Sequence, residues 1–392
     1  MKCVVRAARV VTNDGPPLEN AAIAIDDDGR VAWIGPSDGA PSGRATHDAP
    51  LVTPGLVDAH THAAWAGSRH VEYAMRMAGE DYVAIAKAGG GIVSTHRAIE
   101  SITEDDLAAL LEARLRRMAA LGVTTVEVKS GYGLVPELEL KQLRAIARAS
   151  SRANLPRVVP TFLALHALPL GETDRDRYAA AACALVREVA ARKLARFVDA
   201  YVDEHAFGVA HARSLGKAAR DAGLGVRLHV GQFSDVGGVE LAAELGAKSA
   251  DHLEHVSEAG ARALAAAKVA AVLLPTAAFT LGQAPPDVAM LRAAGVELVV
   301  ASDANPGTAP TESLPLAMAL AVRSFGLTPD ETLAAATCNA ARSLDVDTGV
   351  LRAGAPADLV LWDLPHELAL VQPWGAPRAK LVLREGNVIA RG

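Results

Sequence analysis

The sequence predicts an α/β chain: a (β/α)8 TIM-like barrel with a small β-sandwich domain formed from both chain termini. Three observations lead there. Between residues 54 and 345, eight apolar strand-like runs alternate with amphipathic helical stretches, the pattern of a parallel sheet wrapped by helices. Residues 1–53 and 346–392 show short apolar runs broken by turn signals instead, as small antiparallel strands would. Polar side chains that can bind metal collect at the ends of the barrel runs, where barrels of this type carry their chemistry.

The first segment is punctuated by Asn13–Pro17, Asp26–Gly29 and Pro36–Gly39. The eight barrel strands are expected at Leu56–His60, Thr124–Lys129, Val158–Leu163, Phe197–Val202, Val226–Val230, Ser249–Asp251, Ala270–Leu274 and Leu298–Ala301. The tail resumes the opening style, with strands expected at Gly349–Leu351, Ala357–Asp363 and Leu381–Leu383 before an Glu385–Asn387 turn. The simplest packing joins the two ends into one sheet domain beside the barrel. Gly89-Gly90-Gly91 is too short for a linker and reads as a loop over a site, or as a plain turn.

Composition narrows the function classes. The chain has 392 residues, 51% hydrophobic and 21% charged, which is ordinary for an enzyme. A net charge of −6 gives no reason to expect nucleic acid or an anionic membrane as partner. Cys3, Cys183 and Cys338 are odd in number and far apart, as expected of thiols in a reducing compartment. Early charge in Met1–Arg6 does not fit a signal peptide, and there is no long uninterrupted apolar run. A cytoplasmic location is the expectation.

The strand ends carry the chemistry. His60 and His62 close the first strand, and a period of two points both to one side. Lys129, Ser130 and Tyr132 follow the second strand, His166 the third, and Asp203 and Glu204 the fourth. His229 ends the fifth, His252 the sixth and Asp303 the eighth. Taken alone, His252 reads as a hydrogen-bonded structural residue and Asp303 as a turn former. Taken together, His60, His62, His229 and Asp303 are three imidazoles and a carboxylate, a set that suits one Zn²⁺ or Fe²⁺/Fe³⁺ with a position left for water. Such an ion would lower the pKa of that water; Asp303 could take its proton, and His252 could polarise the carbonyl under attack. The fourth strand has no lysine to carry a bridging carboxylate, which favours one metal over two. Lys129 is expected to form an ion pair beneath the site.

These residues resemble the amidohydrolase superfamily and, within it, the imidazolonepropionase family, over nearly the whole chain. The Pro54–His62 segment is superfamily-wide. More specific are Ala66–Arg69, Gly89–Thr95, Thr124–Leu134, Ser249–Leu253 and Asp303–Thr308. The resemblance implies opening of the cyclic amide of 4-imidazolone-5-propanoate to N-formimino-L-glutamate in histidine degradation. It implies that Arg69 pairs with the propionate, that Asn305, Gly307 and Thr308 help hold that end, and that Tyr82, Tyr132 and His166 line the ring pocket. A homodimer is the family-like expectation.

One position departs from the family. Where the family carries a glutamate three residues after the fifth-strand histidine, thought to help set the protonation of the ring, this chain has Gln232. Glutamine can hydrogen-bond a ring but cannot take a proton. Asp235, further along the same loop, is a candidate for a compensating carboxylate. Two rivals follow: a related amidohydrolase or deaminase acting on another small ring, and a metal-binding but catalytically impaired binder of a small acid.

Overall fold

The computed structural model describes residues 1–80, 90–374 and 378–392. Four strands open the chain: β1 (Cys3–Val10), β2 (Leu18–Ile25), β3 (Val31–Pro36) and β4 (Thr46–Pro54). Eight follow: β5 (Leu56–Asp58), β6 (Val123–Lys129), β7 (Arg157–Leu165), β8 (Phe197–Val202), β9 (Gly225–Val230), β10 (Ser249–His252), β11 (Ala270–Leu273) and β12 (Leu298–Val300). The tail adds β13 (Leu359–Trp362), β14 (Ala379–Arg384) and β15 (Asn387–Arg391).

Strands β5 to β12 pair in chain order and in parallel, forming the expected barrel. Closure happens just past the last strand. Asp303 N donates to His60 O at 3.0 Å, and His62 N donates to Ala304 O at 3.0 Å. Ser302 adds its amide (3.0 Å) and hydroxyl (2.6 Å) to the Asp58 carboxylate. The line where the barrel closes is therefore built from the same residues as the candidate site.

Strand β6 shows how the alternation works. Val126 and Val128 face out and pack with Leu111, Leu115 and Ile146 of helices Glu104–Ala120 and Pro136–Ser150. Between them Glu127 and Lys129 are fully buried. Near the strand starts, Val57, Val159, Phe197, Val272 and Val299 cluster with Ala340, Ala341 and Leu344, giving the barrel an apolar floor. Above it the interior turns charged, unlike the branched aliphatic layers that usually fill such barrels.

The terminal strands form one seven-stranded sheet, in the order β15-β14-β13-β4-β1-β2-β3. It curls over a shared core: Val5, Ile23 and Ile25 pack in one cluster with Leu359, Leu361, Leu381 and Leu383. The curl is tight enough that the Gly29 turn meets the Glu385 turn from the other half of the sheet, where a Cβ on Gly29 would lie 2.0 Å from Glu385 O. Two expectations need correcting. The β1–β4 pair is parallel, because the β2–β3 hairpin lies between them in sequence. Residues 349–351 form no strand; Leu351 is buried in the sheet's core through its side chain, and its amide bonds to Thr12 O.

The sheet and barrel are joined closely. Only Gly55 separates β4 from β5, and a Cβ there would come within 2.2 Å of Thr124 Oγ1. Trp362, on β13, is fully buried in the barrel's cluster and donates to Thr53 Oγ1 at 2.9 Å. Gly122 (φ +96°) lies so close to that indole that a Cβ would be 2.5 Å from it. Arg157 of β7 bonds Asp358 at 2.8 Å across the same junction. Trp362→Ala is expected to destabilise the chain by about 3–5 kcal/mol through the cavity it leaves, read as a lower urea midpoint at unchanged metal stoichiometry. An unchanged midpoint would mean the junction contributes little.

Candidate metal centre

The centre lies where β5, β9 and β12 end. His60 and His62 extend past β5, His229 is the fifth residue of β9, and Asp303 follows β12. Asp303 takes a left-handed backbone (φ +54°), as do His252 (+85°), the last residue of β10, and Leu253 (+73°). Such conformations cost energy for residues with a side chain and tend to gather at functional sites.

The ligand atoms of His60, His62 and His229 all lie within 4.8 Å of one another. Asp303 Oδ1 is 3.5 Å from His60 Nε2 and 3.4 Å from His62 Nε2, and His229 Nε2 is 3.4 Å from His62 Nε2. All four residues are at most 4% exposed. Burial, then Lys129 and the neighbouring imidazoles, hold His60 well below the usual histidine range; burial and His229 do the same for His62. These are neutral imidazoles with lone pairs aimed at one point. His60 Nε2 and Asp303 Oδ1 have no hydrogen-bond partner. Buried polar atoms are rarely left so, and a divalent cation would satisfy them together.

The outer nitrogens are held from below. His60 Nδ1 lies 2.6 Å from Asp251 and His229 Nδ1 lies 3.0 Å from Asp199. This fixes Nδ1 as the protonated nitrogen and Nε2 as the ligand. Lys129 ties the two carboxylates together, 2.7 Å from Asp199 and 3.7 Å from Asp251, and also bonds Glu127 at 2.8 Å. Arg227 lies 3.6 Å from Glu127 and 3.8 Å from Asp251. Burial alone would lower the Lys129 pKa, but Asp199, Glu127 and Asp251 outweigh it and the ammonium stays charged. Asp199 is likewise held well below the usual carboxylate range, His229 and Lys129 overcoming its burial. The buried carboxylates of Glu127, Asp199, Asp251 and Asp303 outnumber the cations Lys129 and Arg227 beside them, with His252 and Glu254 forming a further pair. A divalent ion would offset the excess of negative charge. The donor set and the charge both fit a divalent metal.

His252 is 3% exposed, its ring centroid 5.5 Å from His229 and 6.0 Å from His60. Burial opposes its protonation, but Glu254 and the charges of Asp303 and Asp251 prevail and raise its pKa. Glu254 lies 3.8 Å from His252 Nδ1 with its side chain 2% exposed.

A cluster of aromatic and polar side chains adjoins the centre. His62, Tyr132 and His166 form a triangle of rings, with centroids 5.3–5.8 Å apart. His166 Nδ1 donates to Gly131 O at 2.7 Å, and burial lowers its pKa to about 4, so its Nε2 is a neutral acceptor. Burial pushes the Tyr132 phenol up, partly offset by the charge of Arg69. The Tyr132 loop is pinned by buried Glu139, which accepts from Gly131 N and Leu134 N, and by Gln142, which accepts from Tyr132 N. Arg69 packs on Gly307, where a Cβ would lie 2.3 Å from Nη1. Gly307 N and Thr308 N both donate to Asn305 Oδ1, at 2.8 and 2.7 Å, so these amides shape the loop rather than remain free for a ligand. Gln232 is 7% exposed, on a loop held by Asp203, which accepts from Phe233 N and Ser234 Oγ. Asp235 is exposed and accepts from Gly237 N, so it does not stand in for the missing glutamate. Tyr82 and Gly89 lie outside the described residues. Sequence reasoning missed Asp199, Asp251 and Glu254; for the first two, the available signal was a carboxylate set inside a barrel strand, β8 and β10.

Comparison with known proteins shows the family. The model of the amidohydrolase family matches residues 51–390. An imidazolonepropionase from Methylobacterium nodulans is 44% identical over 94% of this chain and 94% of its own. One from Caulobacter vibrioides is 45% identical over 88% of each. Among solved structures, an adenosine deaminase from Xanthomonas campestris with bound zinc superposes with a TM-score of 0.74 at 20% identity, covering 99% of this chain and 92% of that one; the likeness is one of fold. With a barrel closed at the ligand residues and near full-length relatives on record, the chain belongs to the amidohydrolase family and, within it, to the imidazolonepropionases.

Proposed function

We propose that this chain hydrolyses the cyclic amide of 4-imidazolone-5-propanoate to N-formimino-L-glutamate, a step of histidine degradation. The observation that carries the reading is the convergence of His60, His62, His229 and Asp303 on one point, in a chain of this family. A divalent ion held by those four residues supplies Lewis acidity, making a water nucleophilic near neutral pH. We propose Zn²⁺, which the three-imidazole, one-carboxylate set suits, with iron as the alternative that metal analysis decides.

The residues divide the remaining work. Asp303, whose pKa burial raises to about 6, accepts the proton of the attacking water. His252, whose pKa Glu254 raises, donates to the ring carbonyl oxygen as charge develops on it. Water adds at the ring carbonyl, the ring amide C–N bond breaks, and the leaving nitrogen takes the proton that Asp303 accepted. Arg69 pairs with the propionate, since a guanidinium fork matches a carboxylate. His166 offers its Nε2 lone pair to a ring N–H, and Tyr132 packs beside it. Gln232 stands where the family's glutamate would help move a ring proton. Tyr82 completes the pocket in this reading, with Asn305, Gly307 and Thr308 shaping its carboxylate end.

Two accessory properties belong to the proposal. No helix among the described residues is long and apolar enough to cross a membrane. Three unpaired cysteines support a cytoplasmic location. A homodimer with no nucleic-acid or membrane partner is proposed, to be checked by sedimentation.

Rapid loss of ring absorbance from freshly generated imidazolone propionate is expected with metal-replete protein, with formiminoglutamate as product and loss of turnover on chelation. A metal-loaded protein that leaves the substrate intact would move the activity to another ring, the rival reading that the relatives do not favour. Asp199→Asn should weaken metal binding by about 10- to 100-fold, read by competitive chelation; unchanged affinity would remove Asp199 from the site. Gln232→Glu is expected to raise kcat by about tenfold or more if ring proton transfer limits turnover. A variant no faster than the parent would show that the amide suffices.

A further inference from the structure

We propose that Glu72 is a positioning residue for the substrate carboxylate, orienting Arg69 and locking that orientation to the glycine-rich segment. The inference rests on the reading that Arg69 binds the propionate. Glu72 lies on helix His70–Met77 and is 5% exposed. Its carboxylate accepts from Arg69 Nε at 2.7 Å and from Arg69 Nη2. It also accepts from Arg76 Nη2 at 3.2 Å and from Gly91 N at 2.7 Å. Four donors fill the capacity of a carboxylate, so Glu72 has no lone pair left for chemistry. Burial opposes its ionisation, but Arg69, Gly91 and Arg76 outweigh it and hold its pKa below the usual range.

The geometry decides which edge of Arg69 is presented. Glu72 occupies the Nε and Nη2 side of the fork, and a guanidinium offers five N–H groups in a fixed plane. The remaining Nη1 edge packs on Gly307, where a Cβ would displace the guanidinium. Gly91 has φ +80° and ψ −164°, a region open essentially to glycine alone, and it starts helix Ile92–Ser101. That helix approaches the Arg69 segment again at Gly67, where a Cβ would lie 2.9 Å from Ala98 Cβ. It also reaches the ring pocket, with His96 Nδ1 3.2 Å from Tyr132 O. One carboxylate therefore links the reader of the substrate's charged end to the segment carrying the glycine motif.

The test is a double-mutant cycle with Glu72→Gln, Arg69→Met and the pair, measured on imidazolone propionate and on its neutral propanamide analogue. Glu72→Gln should raise KM for the acid by about 5- to 30-fold, the effect of losing a coupling of one to two kcal/mol. Turnover of the amide analogue should not change. In the Arg69→Met background, Glu72→Gln should add nothing further. Arg69→Met raising KM while Glu72→Gln leaves it alone, or effects that multiply, would overturn the positioning role and leave the carboxylate reading intact. An unchanged KM in Arg69→Met would overturn the carboxylate reading itself. Should Glu72→Gln not fold, Glu72→Asp keeps the charge but is one methylene too short to reach both Arg69 and Gly91. It is expected to raise KM for the acid alone, and an unchanged KM would refute the proposal.

Discussion

The charged layer inside the barrel is the constraint on which the rest depends. Lys129 is fully buried and bonds Glu127 and Asp199, with Asp251 at 3.7 Å. Burying such groups is expensive unless each charge is paired and hydrogen-bonded. Here the carboxylates outnumber the cations beside them, and Asp251 and Asp199 lie against the imidazoles of His60 and His229. The same arrangement that makes the barrel interior electrostatically unsatisfied thus makes it a strong cation site. Asp251 and Asp199 belong to both systems: each faces Lys129 below and a histidine above.

This explains why the fold and the centre cannot be separated. The last strand closes on the first through Asp303 N and His60 O, and through His62 N and Ala304 O. The backbone groups of the ligand residues close the barrel while their side chains converge on its mouth. A shift at that line would move His60, His62 and Asp303 together. The terminal sheet acts on the same region at one remove: β4 passes into β5 across Gly55 alone, and Trp362 clamps the start of β6 through Gly122. Packing two domains against one short strand leaves little freedom for the histidines that follow it.

Much of this was legible in the sequence because its signals are periodic. The eight runs could be found because parallel strands buried on both faces are apolar throughout. The His60–His62 pair was legible because a period of two sets both side chains on one side. What stayed hidden was set by distance in space. Asp199 and Asp251 look like isolated polar residues in apolar strands until the barrel brings them under His229 and His60. Glu72 reads as a surface helix residue until Gly91 folds back on it. The parallel β1–β4 pair and the irregular stretch at 349–351 were missed because local turn signals say nothing about which strands pair. The loop amides of Gly307 and Thr308 turned out to be occupied by Asn305, which no spacing rule reports.

The site is polarised along one direction, and this bears on how a substrate would lie in it. At one end are His252, its pKa raised by Glu254, Asp303 and Asp251, and the point where the four ligands meet. At the other is Arg69, its charge half-shared with Glu72. His166 is neutral, and Gln232, buried on the loop after β9, carries no charge. In the proposed reading a substrate with a carbonyl and a carboxylate would set the first at the ligand point and the second at Arg69. A glutamate at 232 would add a buried negative charge, giving a proton acceptor for the ring at the expense of repelling a carboxylate. A glutamine gives up that proton acceptor and retains hydrogen-bonding capacity without the repulsion.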